Sequence, residues 1–167
     1  MKKLSLYCIT LFLVTACAKK VVKCGLIGEN MNPQKLQSVV TINKNYLIAD
    51  TTVVSVSGKI FGSYIHERTD TIVEPLQYAN VIFKNVKTQA VLGTYSELDG
   101  SYHTTIPAAT YQIEVQFIGY NRVIIENVQL GTGEILNLSA NLGQGIDKEY
   151  FEIINHRATW GLIRKTN

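Results

Sequence analysis

Apolar and polar residues alternate strictly along several stretches between residues 52 and 143, and this period of two restricts the fold more than any other feature. The apolar positions of these runs are Val54, Val56 and Ile60; Ala79, Val81 and Phe83; Tyr111, Ile113, Val115 and Phe117; Leu136, Leu138, Ala140 and Leu142. Successive side chains of a strand point to opposite faces, so each run indicates a strand with one buried and one solvated face. Glycines between the runs are spaced as in antiparallel sheets. The pattern predicts an all-β fold, an antiparallel β-sandwich of about seven short strands.

The dipeptide Asp99-Gly100 lies between two predicted strands, one around 91–95 and the other around 102–106. Aspartate tolerates positive φ and glycine adopts it freely, so the pair favours a tight hairpin turn. A cation site is the alternative, but it needs several oxygen ligands, and only Glu97 and Asp99 offer carboxylates here. We therefore interpret Asp99-Gly100 as a turn.

The first residues have the pattern of a secretory signal: Lys2 and Lys3, an apolar run over 4–14, and then Val14-Thr15-Ala16-Cys17. The apolar run is about half the ~20 residues that a membrane-spanning helix needs. The last four residues resemble the bacterial lipobox, which implies cleavage between Ala16 and Cys17 and lipid attachment at Cys17. We expect residues 1–16 to be a signal peptide and 17–51 a lipid-anchored tether, whose weak apolar stretch at 39–48 adds a strand or a short helix.

Charge and cysteine content exclude several function classes. With Lys2 and Lys3 removed with the signal, 14 of the 16 basic residues remain against 13 acidic ones. This near-neutral balance does not provide the basic patch of a nucleic-acid-binding protein. Of the three cysteines, Cys24 alone would remain unmodified, so no internal disulfide can form.

Four segments follow one another in an order that resembles the carboxypeptidase regulatory-like domain. They are "VSGKIFG" at 56–62, "EPLQYANVIFKN" at 74–85, "ELDGSYHTTIPAATYQIEVQFIGY" at 97–120 and "VQLGTGEILNLSANL" at 128–142. The resemblance covers about residues 52–143 and implies a transthyretin-like (prealbumin-like) sandwich. Such domains occur on outer-membrane receptors of Bacteroidetes-like bacteria and beside peptidases, so the resemblance implies a binding or accessory module. This chain departs from the family in the insertion 63–74 and in Ala109, where a glycine is common.

The insertion 63–74 is the candidate recognition loop. It combines aromatic and charged side chains at Tyr64, His66, Glu67, Arg68 and Asp70. Loops on a rigid sandwich are the usual place for recognition. The alternative is a solvated insertion without a ligand.

Two threonines are candidate acceptors of O-linked glycans. Asp50-Thr51-Thr52 and Asp70-Thr71-Ile72 resemble the Asp-Thr/Ser-apolar pattern that is used for O-glycosylation in Bacteroidetes. The pattern is only three residues long and also arises by chance. Thr51 and Thr71 are therefore candidate modification sites.

Residues 144–167 lie outside the family resemblance and form a C-terminal tail. Ile146, Tyr150, Ile153 and Ile154 have helix-compatible spacing, with acidic residues near the start. A segment this apolar is not expected to stay free in solvent. We expect the tail to pack on the sandwich or cover an edge strand; the alternative is that it docks on a partner.

No residues suggest catalysis, a metal site or a cofactor. His66-Glu67 begins like a zinc-peptidase motif, but Asp70 stands where the second histidine belongs. His103 belongs to the solvated face of a predicted strand, and His156 lies in the tail. No nucleophile-elbow motif surrounds the serines Ser96, Ser101 and Ser139. We expect a protein that is not an enzyme.

The sequence thus favours a non-enzymatic lipoprotein that acts as a binding or scaffold module for an envelope protein. Ala18, rather than aspartate, follows Cys17, and no acidic run comes after it. Both features favour the outer membrane with the domain facing the periplasm. One alternative is a carbohydrate-binding module of a glycan uptake system, which requires exposed coplanar aromatic rings, for example from Tyr95, Tyr102, Tyr111 and Tyr120. Another is an accessory domain of a separate peptidase.

Overall fold

The computed structural model describes residues 36–46, 52–67, 70–156 and 159–165, and these form eleven strands and no helix. The strands are β1 (Val39–Tyr46), β2 (Val53–His66), β3 (Asp70–Pro75), β4 (Asn80–Asn85), β5 (Val91–Tyr95), β6 (Ser101–Pro107), β7 (Ala109–Gln116), β8 (Arg122–Leu130), β9 (Glu134–Gly143), β10 (Lys148–His156) and β11 (Thr159–Lys165). The predicted all-β sandwich is confirmed.

The strands form two sheets that pack face to face. The five-stranded sheet has the order β1-β9-β2-β3, and β6 also pairs with β2. β2 has 14 residues, so its first half pairs with β6 and its last residues pair with β3. The six-stranded sheet has the order β11-β10-β8-β7-β4-β5.

The alternating residues form the core between the sheets. All the apolar positions of the predicted runs are buried, apart from the half-buried Phe117. Polar residues of the same strands, such as Lys59 and Asn137, face solvent. Fully burying a large aliphatic or aromatic side chain contributes about 1.5–3 kcal/mol, so these strands provide most of the favourable free energy of folding.

The sandwich is larger than predicted and its sheets are mixed. Eight strands, rather than about seven, lie within 52–143, because the insertion contributes β3. β2 pairs with β9 in parallel, and β8 pairs with β10 in parallel. Alternation shows which face of a strand is buried. It does not show whether the neighbouring strand runs parallel or antiparallel.

β1 extends the sandwich into the predicted tether. Val40 and Ile42 of this strand are buried, and its eight residues pair with β9. Of the two alternatives for residues 39–48, the structure has the strand. The ordered domain therefore begins before residue 52.

The hairpin prediction for Asp99-Gly100 is wrong, although the two residues do form a turn. Gly100 has φ +78° and donates its N–H to the carbonyl of Glu97 at 2.9 Å. The turn links β5 of the six-stranded sheet to β6 of the five-stranded sheet, so the two strands do not pair with each other. The turn lies against one side of the sandwich, where Ile60 of β2 donates its N–H to the carbonyl of Gly100 at 2.8 Å.

The helical interpretation of the tail is also wrong, because the tail forms β10 and β11. Glu149 and Phe151 are buried at alternate positions of β10, which adds to the edge of β8. The segment is rich in Tyr, Phe and Ile, which favour strands. Four apolar residues at helical spacing are too few to outweigh this tertiary pairing.

Candidate functional site

The insertion that carries the predicted recognition residues is a β-hairpin rather than a loop. Residues Ser63–His66 of β2 pair with Asp70–Val73 of β3, so Tyr64, His66 and Asp70 belong to strands. Ser63 also pairs with Gly143, the last residue of β9, so the hairpin projects beyond that end of the sheet. His66 and Glu67 are largely exposed there, and Asp70 is exposed as well.

Tyr120 connects this hairpin to the six-stranded sheet. Its ring lies against Gly62 so closely that a Cβ atom there would come within 2.5 Å of a ring carbon. Its hydroxyl donates to Glu74 Oε1 at 3.5 Å. Burial raises the pKa of Tyr120, and the nearby Glu74 and Tyr64 raise it further. Tyr64 of the predicted recognition set therefore lies close enough to Tyr120 to affect its pKa.

Two loops beside Tyr120 expose isoleucines to solvent. Residues 117–121 connect β7 to β8, and residues 144–147 connect β9 to β10. The loops are joined by a bond of 3.0 Å from the N–H of Gly145 to the carbonyl of Gly119. Ile118 and Ile146 are each 94% exposed, more than any other large apolar residue of the described chain. They border a shallow groove of about 290 Å³, which Asn80, Gln116 and Arg122 also line.

Leu36, the first residue that the structure describes, lies directly beneath these loops. Asn121 donates its side-chain N–H to the carbonyl of Leu36 at 3.0 Å. Its Oδ1 accepts the N–H of Asp147 at 3.1 Å. We call this end of the sandwich the Leu36 end: Leu36, the projecting part of the β2–β3 hairpin, and the loops 117–121 and 144–147.

A buried ion pair fixes the geometry of the Leu36 end. Glu149 accepts the N–H of Ser38 at 2.9 Å and pairs with Arg164 at 3.3 Å. Arg164 also donates to the carbonyl of Ser38, and its guanidinium lies 5.1 Å from the centre of the Phe151 ring. The side chains of Glu149 and Arg164 are 7% and 13% exposed. The contacts tie the start of β1 to β10 and β11, so the Leu36 end has a fixed shape.

His66 and His103 are exposed, and Ser96 has a structural position. Within the four described ranges, no three His, Cys, Asp or Glu side chains group as metal ligands. The imidazole of His103 lies 3.2 Å from Ser55 Oγ on the solvated face. Ser96 is fully buried, where it accepts the N–H of Ala79 at 2.9 Å.

Asp99 stabilises its own turn instead of facing an open site. Its carboxylate accepts the hydroxyl and the N–H of Ser101, and Lys59 Nζ lies 3.2 Å away. These hydrogen bonds, above all that of the Ser101 hydroxyl, lower the pKa of Asp99 from 3.8 to about 2. An ammonium group thus occupies the position beside the carboxylate that a bound cation would take.

The aromatic residues do not form a flat platform. Tyr102 and Tyr111 are buried in the core. Tyr95 is exposed and packs against Tyr78, with the ring planes at 59°. The rings of Phe117 and Tyr120 are tilted by 51°. Coplanar rings, which the glycan-binding alternative requires, are therefore absent from the aromatic pairs of the described residues.

Several predicted sites lie outside the described residues: Ala16, Cys17, Thr51 and Arg68. Thr71 is described and is exposed on β3. The sequence pattern does not identify Ile118 and Ile146 as surface residues, since Ile118 continues an apolar strand ending and Ile146 fits the helical spacing of the tail. The sequence feature that could have identified them as surface residues is that each isoleucine is next to a glycine at a turn.

The two sheets define the class of the protein as a β-sandwich domain. Within it, residues 69–143 match the family model of the carboxypeptidase regulatory-like domain. The matched range begins one residue before β3 and ends with β9, so β1, β2, β10 and β11 lie outside it. The matched domain is a regulatory rather than a catalytic fold. No curated protein and no solved structure matches the chain. A helix long and apolar enough to cross a membrane is not found among the described residues.

Proposed function

We propose that the chain is a non-enzymatic bacterial lipoprotein, anchored in the outer membrane through Cys17 and facing the periplasm. Its sandwich binds an envelope protein through the Leu36 end. The proposal combines the lipobox-like residues Val14-Thr15-Ala16-Cys17 with a rigid surface at the point where the chain enters the domain.

The single observation that carries the binding role is the exposure of Ile118 and Ile146. Each is 94% exposed on a loop that is held to its neighbour by a backbone hydrogen bond. Contiguous exposed apolar surface that is rimmed by polar residues marks interaction sites, and the two isoleucines line the same groove. The rim here includes Asn80, Gln116 and Arg122. A partner would cover both isoleucines without having to order the loops, which lowers the entropic cost of binding.

The exposed carboxylates of the β2–β3 hairpin favour a protein over the lipid surface as the partner. Glu67 and Asp70 lie on the projecting part of the hairpin and Glu74 lies next to it, and all three are exposed. Anionic head groups attract basic segments and repel carboxylates. A protein that presents an apolar centre and basic residues around it would complement this surface.

Crosslinking in intact cells tests the proposal. A photoreactive residue at Ile118 of the full chain should crosslink to one recurring envelope protein. Ile146→Ser in the same chain should reduce that product strongly, because it removes half of the apolar contact. Val86→Ser is the matched control, since Val86 is 48% exposed in the turn between β4 and β5, at the other end of β4.

The anchor and the binding surface are tested separately. Cys17→Ala should release the protein from membranes and abolish lipid labelling; retention in the membrane would exclude the assigned anchor. Equal crosslinking in the Ile146→Ser and Val86→Ser chains would exclude the Leu36 end as the binding surface. A crosslink to lipid alone would favour the membrane as the contact.

A further inference from the structure

The free edge of β5 differs from every other sheet edge that the structure describes. β1 carries Lys44, β3 carries Asp70, Glu74 and Pro75, β6 ends in Pro107, and β11 carries Arg164 and Lys165. β5 reads Val91-Leu92-Gly93-Thr94-Tyr95, with no charge and no proline. Charges and prolines on an edge strand prevent unwanted pairing with another chain. β5 lacks this protection.

The backbone of β5 has hydrogen-bonding groups directed at solvent. On either side of β5, Ala90 and Ser96 bond towards β4: Asn85 of β4 donates its N–H to Ala90 O at 2.8 Å, and Ser96 donates its N–H to the carbonyl of Ala79, the residue before β4, at 3.0 Å. The backbone N–H and C=O groups of successive residues in a strand point to opposite sides. Those of Leu92 and Thr94 therefore also point towards β4. The N–H and C=O groups of Val91, Gly93 and Tyr95 therefore point away from the sheet.

The side chains at this edge are apolar and accessible as well. Val91 and Tyr95 are 62% and 61% exposed, and Leu92 is 41% exposed. Tyr78, which is also exposed, packs against Tyr95 with the ring centres 5.9 Å apart. An added strand would therefore gain backbone hydrogen bonds together with apolar contacts at alternate positions.

We propose that β5 accepts an extended, uncharged segment of a partner protein as a seventh strand of the six-stranded sheet. A segment with β-branched or aromatic residues at alternate positions fits this edge, because no charge on β5 would compensate a charge on the partner strand.

Two other occupants fit less well. A second copy pairing antiparallel through β5 would place its Leu36 end at the opposite end of the assembly. Two copies anchored in one membrane through Cys17 would then face opposite ways, an argument that rests on the proposed function. The chain's own residues 18–35 contain Gly25, Gly28 and Pro33, which oppose an added strand.

Gly93 provides the decisive pair of variants. Gly93→Pro removes the central outward N–H, whereas Gly93→Ala keeps it. A Cβ atom at this position would have Val81 O as its nearest neighbour, at 3.8 Å, so the Cβ atom of either residue fits. Proline is tolerated on an edge strand where its nitrogen faces solvent.

The experiment uses the full chain in its native membrane, with a photoreactive phenylalanine analogue at Tyr95. The crosslink to a partner segment should persist with Gly93→Ala and fall about tenfold or more with Gly93→Pro, because the partner's carbonyl loses its donor. In hydrogen exchange, the amides of Val91, Gly93 and Tyr95 should be protected in the membrane and exchange rapidly in the purified protein.

The other possible outcomes each exclude one part of the two proposals. Equal crosslinking by the two Gly93 variants would exclude strand addition, and a crosslink to a second copy would exclude a foreign occupant. If the probe at Tyr95 fails while the probe at Ile118 crosslinks, strand addition is wrong and the proposed function stands. If the protein stays in the membrane after Cys17→Ala, the proposed anchor fails, whereas the protection of the β5 amides remains a test of strand addition alone.

Discussion

Replacing Glu149 by leucine should destabilise the domain more than the loss of an exposed ion pair does. The carboxylate accepts the N–H of Ser38 and pairs with Arg164, and Asn121 Nδ2 lies 3.4 Å from its Oε1. Leucine keeps a similar volume in the cluster but accepts no hydrogen bond. The change would leave a buried N–H and a guanidinium without their carboxylate.

The burial of the pair sets the size of the effect. Because the two side chains are 7% and 13% exposed, water cannot replace the missing carboxylate. Removing one partner of a buried ion pair costs about 3–5 kcal/mol, whereas an exposed pair contributes about 0–1 kcal/mol. We expect Glu149→Leu to lower the free energy of unfolding by about 3–5 kcal/mol, a large part of the ~5–15 kcal/mol of an ordinary domain.

Urea unfolding, followed by circular dichroism and by the fluorescence of the single tryptophan, measures this change. Glu152→Leu is the matched control on the same strand: its side chain is 32% exposed and pairs with Lys165 at 3.4 Å, so its loss should cost at most about 1 kcal/mol. A loss below about 1 kcal/mol in Glu149→Leu as well would refute the reasoning. Adding Arg164→Met should recover part of the loss, because no unpaired charge would remain buried.

Three further predictions concern single positions in the sheets and turns. Gly58→Ala should destabilise by about 2–3 kcal/mol in thermal unfolding, because its Cβ would lie 1.8 Å from the carbonyl oxygen of Leu138; a near-neutral result would contradict this close approach of β2 to β9. Ser96→Ala should cost about 1–3 kcal/mol in urea unfolding, because the buried N–H of Ala79 loses its acceptor; an unchanged midpoint would show that the bond is replaced. Since the pKa of Asp99 is lowered to about 2 by Ser101 and Lys59, its stabilising effect should be complete above pH 4 and be lost as the pH falls through 2; an NMR titration midpoint near 3.8 would contradict this, and Asp99→Asn should remove the pH-dependent contribution.

The strands of the core could be predicted from sequence because a buried sheet face imposes a period of two. Tyr111, Ile113 and Val115 satisfy this period without exception, and all three are buried. The period of two does not determine which strands pair with each other, or whether they pair in parallel. Nothing local to Val91–Tyr95 and Ser101–Pro107 shows that they belong to different sheets, or that β2 and β9 pair in parallel.

Contacts between distant residues are equally inaccessible from sequence. Ser38 and Glu149 are 111 positions apart, and neither lies in a recognisable motif. The spacing of the tail fits a helix, but its strand is selected by the free edge of β8. A segment of ambiguous pattern thus adopts the structure that its neighbour in space can complete.

The position of Leu36 connects anchoring with binding. With Cys17 lipidated, the 19 residue-to-residue steps from Cys17 to Leu36 span at most about 65 Å when fully extended. Asn121 fixes Leu36 beneath the loops of Ile118 and Ile146, so these side chains lie at the attached end of the domain. Under the proposed anchor, a partner that covers both isoleucines must therefore reach within about 65 Å of the bilayer surface. A partner located farther away, on the cell-wall side of the periplasm, would exclude contact at the Leu36 end even if the lipid anchor is correct.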